Sequence, residues 1–483
     1  MTDCVNVLIN IPVDVALGIL TRWLPAKVLP YLESAFCCKS GREKLHELFR
    51  SPGFVICDTS FNSLLRRGHI QQKRTVKRWE HARRLKFAHV HLIGDRIIQK
   101  LGKIDDQLGS HVESIHLQSI RGDGENQNVL LCISKQCPRL QLFHSNRSLL
   151  NSQLIQVFRN CKYLQQIRLE SSTNSATFRP SWLNNITLPH LHALSVVGCQ
   201  LSGQFVVALV RLSVNLLHFK LVEIFHFAGT YAYPLNHEEM LCIAKHVPNL
   251  LTLCLHTRDL FDATLIAFLT LCPQIRNLNI DDCPKLTSAS IYGIGQHLTQ
   301  LQFLTLDGYE YDSAAIISIA ERCQHTLHTL TYRNGSGYAT SGVDTILRTC
   351  HHIHTLTLQV AYLYQDGNYL HDVDIDWNHM HSLTQLHIES YELDFKDPKL
   401  TTLYTNIAAN CLRLQYLRLD FTIVKISQLT EIVKYCLHLR TLVFRMNDFF
   451  DPAVVENWKS MRPSLLLLDI GDVEDADIFG CLQ

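Results

Sequence analysis

Along this chain one apolar residue is followed, three and five positions later, by two more, and the triplet returns at near-even intervals. Its first position falls at Val112, Leu140, Leu164, Leu191, Leu216, Leu250, Ile275, Leu301, Leu327, Ile353, Leu383, Leu414, Leu439 and Leu465. The spacings are 28, 24, 27, 25, 34, 25, 26, 26, 26, 30, 31, 25 and 26 residues, with the Leu140 copy the poorest fit. Chance triplets do not hold a period near 26 over some 350 residues. Self-similarity on this scale means one supersecondary unit stacked many times.

The copy running from Cys272 shows the unit most plainly. Ile275, Leu278 and Ile280 alternate as the inward positions of a short strand. Cys283 follows at a turn, and Ile291 and Ile294 then take helical spacing within 288–295 before the next strand at Leu301. Each repeat is therefore expected to be strand, turn, helix and return. A cysteine stands three residues before the first apolar position at Cys137, Cys161, Cys272, Cys350, Cys411 and Cys436, and Cys323 lies one residue further out. Such a station, at the end of the helix, suits a small buried thiol. These cysteines are a repeat or more apart and lack the paired spacing of a zinc site, so no metal is expected.

Composition adds limits rather than direction. The chain has 483 residues, 47% of them hydrophobic and 18% charged, enough for a sizeable core. Lys plus Arg number 45 and Asp plus Glu 44, so no global charge recruits nucleic acid or anionic lipid. No apolar run reaches the ~20 residues of a membrane helix. Residues 1–8 lack a basic region, so a secretory leader is not expected, and the 17 cysteines point to a reducing compartment, cytoplasmic or nuclear. The sequons at Asn146, Asn185 and Asn334 are then chance matches.

The run from Cys272 to Cys283 resembles the cysteine-containing subfamily of leucine-rich repeats, and the likeness extends from about Val112 to Gly471. The turn cysteine is kept well only at Cys199 and Cys283. The resemblance implies an α/β fold, a ribonuclease-inhibitor-like solenoid or horseshoe with a parallel sheet on its concave face. About 14 repeats would occupy 112–471, with an acidic tail at 472–483.

Residues 1–50 are not a repeat. Pro12 and Asp14 suit the first turn of a helix, with Val15, Ile19, Leu20, Trp23 and Leu24 as its apolar stripe before Pro25. A second helix carries Val28, Leu32, Ala35 and Phe36. The segment resembles an F-box at Ile11, Pro12, Asp14, Ile19, Leu20, Leu24, Leu29, Leu32 and Cys37, and departs from it at Cys37-Cys38-Lys39-Ser40. That resemblance implies docking of a Skp-type adaptor through Ile11, Pro12, Ile19, Leu20, Leu24, Leu29 and Leu32, with a cullin as a further partner. The chain would then be the substrate-recognition subunit of a cullin-RING ubiquitin ligase. The alternative is an N-terminal cap on a scaffold with no ubiquitin role. Residues 51–111 read as linker and cap, and the nine basic residues between Arg66 and Lys86 as a solvated helix rather than a nucleic-acid patch.

No phosphate loop, dinucleotide fingerprint, nucleophile elbow or zinc-protease motif occurs, so neither enzyme activity nor a cofactor is expected. His351, His352 and His354 read as polar filling of a repeat edge, and Asp372, Asp374 and Asp376 as an acidic loop. Binding is expected on the concave side, at the residues that alternate with the inward ones. Arg168, Lys220, Phe303, His387, Tyr416 and Arg418 are the candidates there. Extra residues must leave the stack, so the long repeats add aromatic candidates at Tyr231, Tyr233, Tyr362, Tyr364, Tyr369 and Trp377.

Overall fold

The computed structural model describes residues 43, 45, 89–93, 112–118, 127–146, 153–170, 179–198, 201–222, 235–307, 311–334, 340–360, 363–365, 368–370, 376–389, 398–420, 426–444 and 452–469. The F-box-like positions Ile11, Pro12, Ile19, Leu20, Leu24, Leu29 and Leu32 lie outside these residues, as do Tyr231, Tyr233, Tyr362 and the tail 472–483. Of the first 50 residues, Glu43 and Leu45 are described, both helical, with Leu45 buried. The chain forms two compact units. One comprises Met1–Leu216 with Ile224–Tyr233, the other Leu217–Glu223 with Pro234–Gln483.

In the first unit the strands β1 (His89–Ile93), β2 (Ser114–Gln118), β3 (Leu142–Asn146), β4 (Gln166–Glu170) and β5 (Ala193–Val197) pair in parallel, each with the next. β1 is an addition to the sequence reading, because it falls in the segment expected to be linker and cap. Its signal was present: Phe87, Val90 and Leu92 repeat the apolar triplet 25 residues before Val112. Helices Gln127–Gln136, Leu154–Asn160 and Gly203–Val210 and a 3-10 turn, Pro180–Leu183, complete the repeats.

The second unit continues the same plan. Its strands are β6 (His218–Val222), β7 (Thr252–His256), β8 (Asn277–Ile280), β9 (Phe303–Asp307), β10 (Thr329–Asn334) and β11 (Thr355–Val360). After a small antiparallel hairpin of β12 (Leu363–Gln365) and β13 (Asn368–Leu370) come β14 (Gln385–Glu389), β15 (Tyr416–Asp420), β16 (Thr441–Phe444) and β17 (Leu466–Asp469). Apart from the hairpin, all pair in parallel with matching positions opposite one another, Leu278 beside Leu304 and Leu330 beside Leu356. Both units are leucine-rich repeat solenoids.

The repeat pattern accounts for the core. All fourteen first positions, from Val112 to Leu465, are buried. So are the two inward strand positions of each well-fitting copy, such as Leu278 and Ile280 or Leu417 and Leu419. In the weak Leu140 copy Phe143 and Ser145 take those places, and both are buried. Full burial of one such apolar side chain contributes about 1.5–3 kcal/mol, against the entropy of ordering a whole repeat, so a repeat holds only against its neighbours.

The hydrogen bonds repeat as well. The carbonyl just before a strand accepts two amides from the following repeat, as Leu251 O does from Arg276 N at 2.8 Å and Asn277 N at 3.0 Å. The cysteine station is buried at Cys137, Cys161, Cys272, Cys323, Cys350, Cys411 and Cys436. Several thiols donate to a carbonyl of the preceding repeat: Cys161 to Cys137 O at 3.3 Å, Cys272 to Val247 O at 3.3 Å and Cys323 to Leu298 O at 3.1 Å. Burial pushes the Cys272 and Cys350 thiols up to about 12 and that of Cys323 to about 11, so they stay neutral.

Behind the sheet of the second unit the helices stack in the same order. Asn236 and Glu239 form a capping box at His237–His246, and Asp312 accepts Ala315 N at 2.6 Å at the start of Ser313–Cys323. Two glycines sit where helix backbones come close. A Cβ on Gly295 would lie 2.8 Å from the Ser318 carbonyl oxygen, and one on Gly342 2.9 Å from that of Ser313.

Candidate protein-binding surface

The face of each sheet opposite the helices carries the residues that alternate with the core. Neighbouring strands lie about 4.8 Å apart and run in register, so equivalent residues form columns across the strands. Three columns run across each sheet, at the first, third and fifth strand positions. The sequence reading named only the first two. The third belongs to the residue after the last apolar position, and the same alternation would have found it.

In the first unit the His116 and His144 rings stack with centroids 3.8 Å apart. His144 Nε2 lies 3.2 Å from Glu170, which also takes Arg168. Burial alone would raise the Glu170 carboxyl, but these two partners outweigh it and hold it at about 2. Arg168 keeps its outer half exposed.

In the second unit the fifth position reads His256, Asp281, Asp307, Arg333, Gln359, Glu389 and Asp420 from β7 to β15. His256 lies 3.7 Å from Asp281 and 3.2 Å from Asp282, a residue with left-handed backbone at φ 44°. Arg333 reaches past β11 to Glu389 through hydrogen bonds of 3.2 and 3.3 Å. His387 Nε2 is 3.0 Å from Asp420, which accepts from Arg418 Nε at 2.8 Å. Burial would raise Asp420, but His387 and Arg418 together hold it below the usual carboxylate range.

Asp281 and Asp307 sit side by side on adjacent strands. The His256 hydrogen bond draws Asp281 down, despite its burial, and draws His256 up. Burial, then the hydrogen bond and charge of Asp281, push Asp307 up to about 7. Two neighbouring carboxylates do not both ionise cheaply, so Asp307 keeps its proton to a higher pH than an ordinary carboxyl does.

The predicted contact residues divide. Phe303 stands 43% exposed on the second unit's face, and Lys220 and Tyr416 are half-buried. His387 and Arg418 are corrections: at 4% and 5% exposure they are not free contact residues. His387 lies between Glu389 on its own strand and Asp420 on the next, and Arg418 is held by Asp420 on its own strand. Trp377 is also corrected. It does not stay in a loop but is 1% exposed in the 3-10 turn Trp377–His379, which packs between helices Thr340–Thr349 and Pro398–Asn410. Tyr364 and Tyr369 lie directly opposite each other in the β12–β13 hairpin. His351, His352 and His354 do not converge on a metal: the last two set their rings edge-on to His328, and no metal-binding group occurs among the described residues. Nor is any described helix long and apolar enough to cross a membrane.

Fixed charges of both signs and an exposed ring on a broad sheet face are the means of recognising another protein. No family model and no curated relative matches this chain. Solved structures similar to this chain include the following two. The complex of Rad7 and Elc1 in yeast is 13% identical, with a TM-score of 0.47, over 77% of this chain and 87% of that one. The leucine-rich repeat-containing protein LegL7 from Legionella pneumophila is 12% identical, with a TM-score of 0.36, over 64% of this chain and 93% of that one.

Proposed function

We propose that this chain holds another protein on the outward face of its repeat sheets and carries out no reaction of its own. The observation that carries this reading is the row of charged side chains from His256 to Asp420, locked by mutual contacts into one arrangement beside the exposed Phe303. Ordering these side chains before a partner arrives lowers the entropy that binding costs. Arg168 in the first unit, Lys220 and Tyr416 in the second, and the insert residues Tyr231, Tyr233, Tyr362, Tyr364 and Tyr369 are further contact candidates.

The finer reading is a substrate-recognition subunit of a cullin-RING ubiquitin ligase. Its support is the F-box-like sequence from Ile11 to Cys37. A Skp-type adaptor and its cullin would dock there, and the chain would supply proximity, raising the effective concentration of target near the catalytic partners. The test is co-purification of the full chain with a Skp-type adaptor. Wild type should retain the adaptor, and Ile19→Asp with Leu20→Asp should lose it while the melting curve stays in place. A wild-type chain that retains no adaptor leaves a scaffold without a ubiquitin role.

A further inference from the structure

The second unit's face is unevenly charged. Asp281, Asp282, Asp307, Glu389 and Asp420 stand against Lys220, Arg333 and Arg418, with His256 and His387 among them. Arg418 is taken up by Asp420 at 2.8 Å and Arg333 by Glu389 at 3.2 Å. Among the described residues, His256 is the near partner of Asp281 and Asp282, and the Arg333 charge reaches Asp281 and Asp307. Asp281, the residue after β8, and Asp307, the last of β9, come next in the register that pairs Ile280 with Leu306, and burial together with the neighbouring Asp281 raises Asp307.

Two more features lie beside them. The amide oxygen of Asn279, two residues before Asp281 on the same face, is shielded from solvent and accepts no hydrogen bond from a described residue. Phe303 is on the same strand as Asp307 and the same face, four residues and so about 13 Å away, with its ring exposed.

We infer that this face receives an extended, arginine-bearing segment of the protein held there, its guanidinium lying between Asp281 and Asp307 and an apolar side chain about four residues along resting on Phe303. The inference rests on the holding reading above. A guanidinium brings a fork of donors to two carboxylates and to an unused acceptor, and its charge offsets the repulsion between them. Binding therefore favours the ionised form of Asp307. Among the described residues, the groups that act on Asp307 are Asp281 and Asp282 from the β8 side, Arg333 from β10 and Tyr311 further along the chain.

The probe is a fluorescent ten-residue peptide with one arginine four residues from a phenylalanine, titrated into the full chain and read by anisotropy. Its twin has citrulline in place of arginine. The arginine peptide should bind at least tenfold tighter than the twin, more tightly at pH 8 than at pH 6, and less tightly as salt rises. Asp281→Asn with Asp307→Asn should weaken it at least tenfold. Arg333→Gln, which removes a competing cation, should tighten it several-fold and serves if the double variant folds poorly. Glu431→Gln with Glu456→Gln, on outer helices, should change nothing. Equal binding of the two peptides, or full affinity in the double variant, overturns the inference. Partner capture separates it from the reading it rests on. Partners lost with Thr331→Trp, which blocks the face, but kept by the double variant overturn the arginine assignment alone. Partners kept by both overturn the holding reading as well.

Discussion

Two stretches of the second unit solve the same packing problem differently. From Leu250 to Ile353 the repeats keep spacings of 25 or 26 residues, and the helices between them are 10 or 11 residues long. There the helix layer keeps pace with the sheet only because backbones come close, at Gly295 and Gly342. From Ile353 to Leu414 the spacings grow to 30 and 31. β11, β14 and β15 still pair in register, yet among the described residues a 3-10 turn and a 13-residue helix stand behind them. Trp377 fills the space that a longer helix holds elsewhere. The sheet layer is set by backbone hydrogen bonds and admits no variation, whereas the helix layer must fill a fixed width by whatever side-chain volume is available.

If that contrast holds, the sheet should be equally intolerant in both stretches. Leu278→Asp and Leu386→Asp each place an unpaired charge in a core shared with neighbouring repeats and should cost about 4 kcal/mol or more, unfolding more than one repeat. Urea denaturation with far-UV circular dichroism measures this, and one variant melting like wild type would break the equivalence. In the helix layer the two stretches should fail in opposite ways. Trp377→Ala leaves a cavity and should cost about 3–5 kcal/mol, with part of the loss recovered by Trp377→Phe. Gly295→Ala overfills the regular stretch and should cost about 1–3 kcal/mol, since the Ser318 carbonyl is backbone and cannot swing away.

The smallest effect concerns pH. Asp307 is raised in the folded chain, so the native state binds more protons than the unfolded one between the ordinary carboxylate range and about 7. Its contribution to stability is complete at low pH and is lost as pH rises through that window. Asp307→Asn should remove this slope, with a melting temperature about 2 °C above wild type at pH 8 and no such gain at pH 4.5. Differential scanning calorimetry at both values checks it.

The strand positions were legible because a period of two inside a period near 26 leaves few registers open, and the buried cysteines marked the same register independently. The first strand was passed over because Phe87, Val90 and Leu92 adjoin a strongly basic stretch that drew the reading to a solvated linker. The binding face was legible in its columns but not in its exposure. What encloses His387 and Arg418 includes Asp420, which reaches His387 from the next strand, 33 residues along the chain. Such enclosure depends on what each repeat brings to its neighbours, which one repeat read alone cannot show. Insert length likewise announced that residues leave the stack around Tyr362, without saying that Trp377 returns to it.

The buried thiols at the end of successive helices have a use that packing alone does not suggest. In the closed state burial keeps them protonated, at about 12 for Cys137, Cys161, Cys272 and Cys350, and an alkylating reagent attacks only the thiolate. Each must therefore wait for its own stretch of chain to open. Seven such sulfurs stand between Cys137 and Cys436, so the chain carries its own set of clocks. Tagging rates, resolved peptide by peptide, would turn them into a map of local opening free energy, without a single probe having been added.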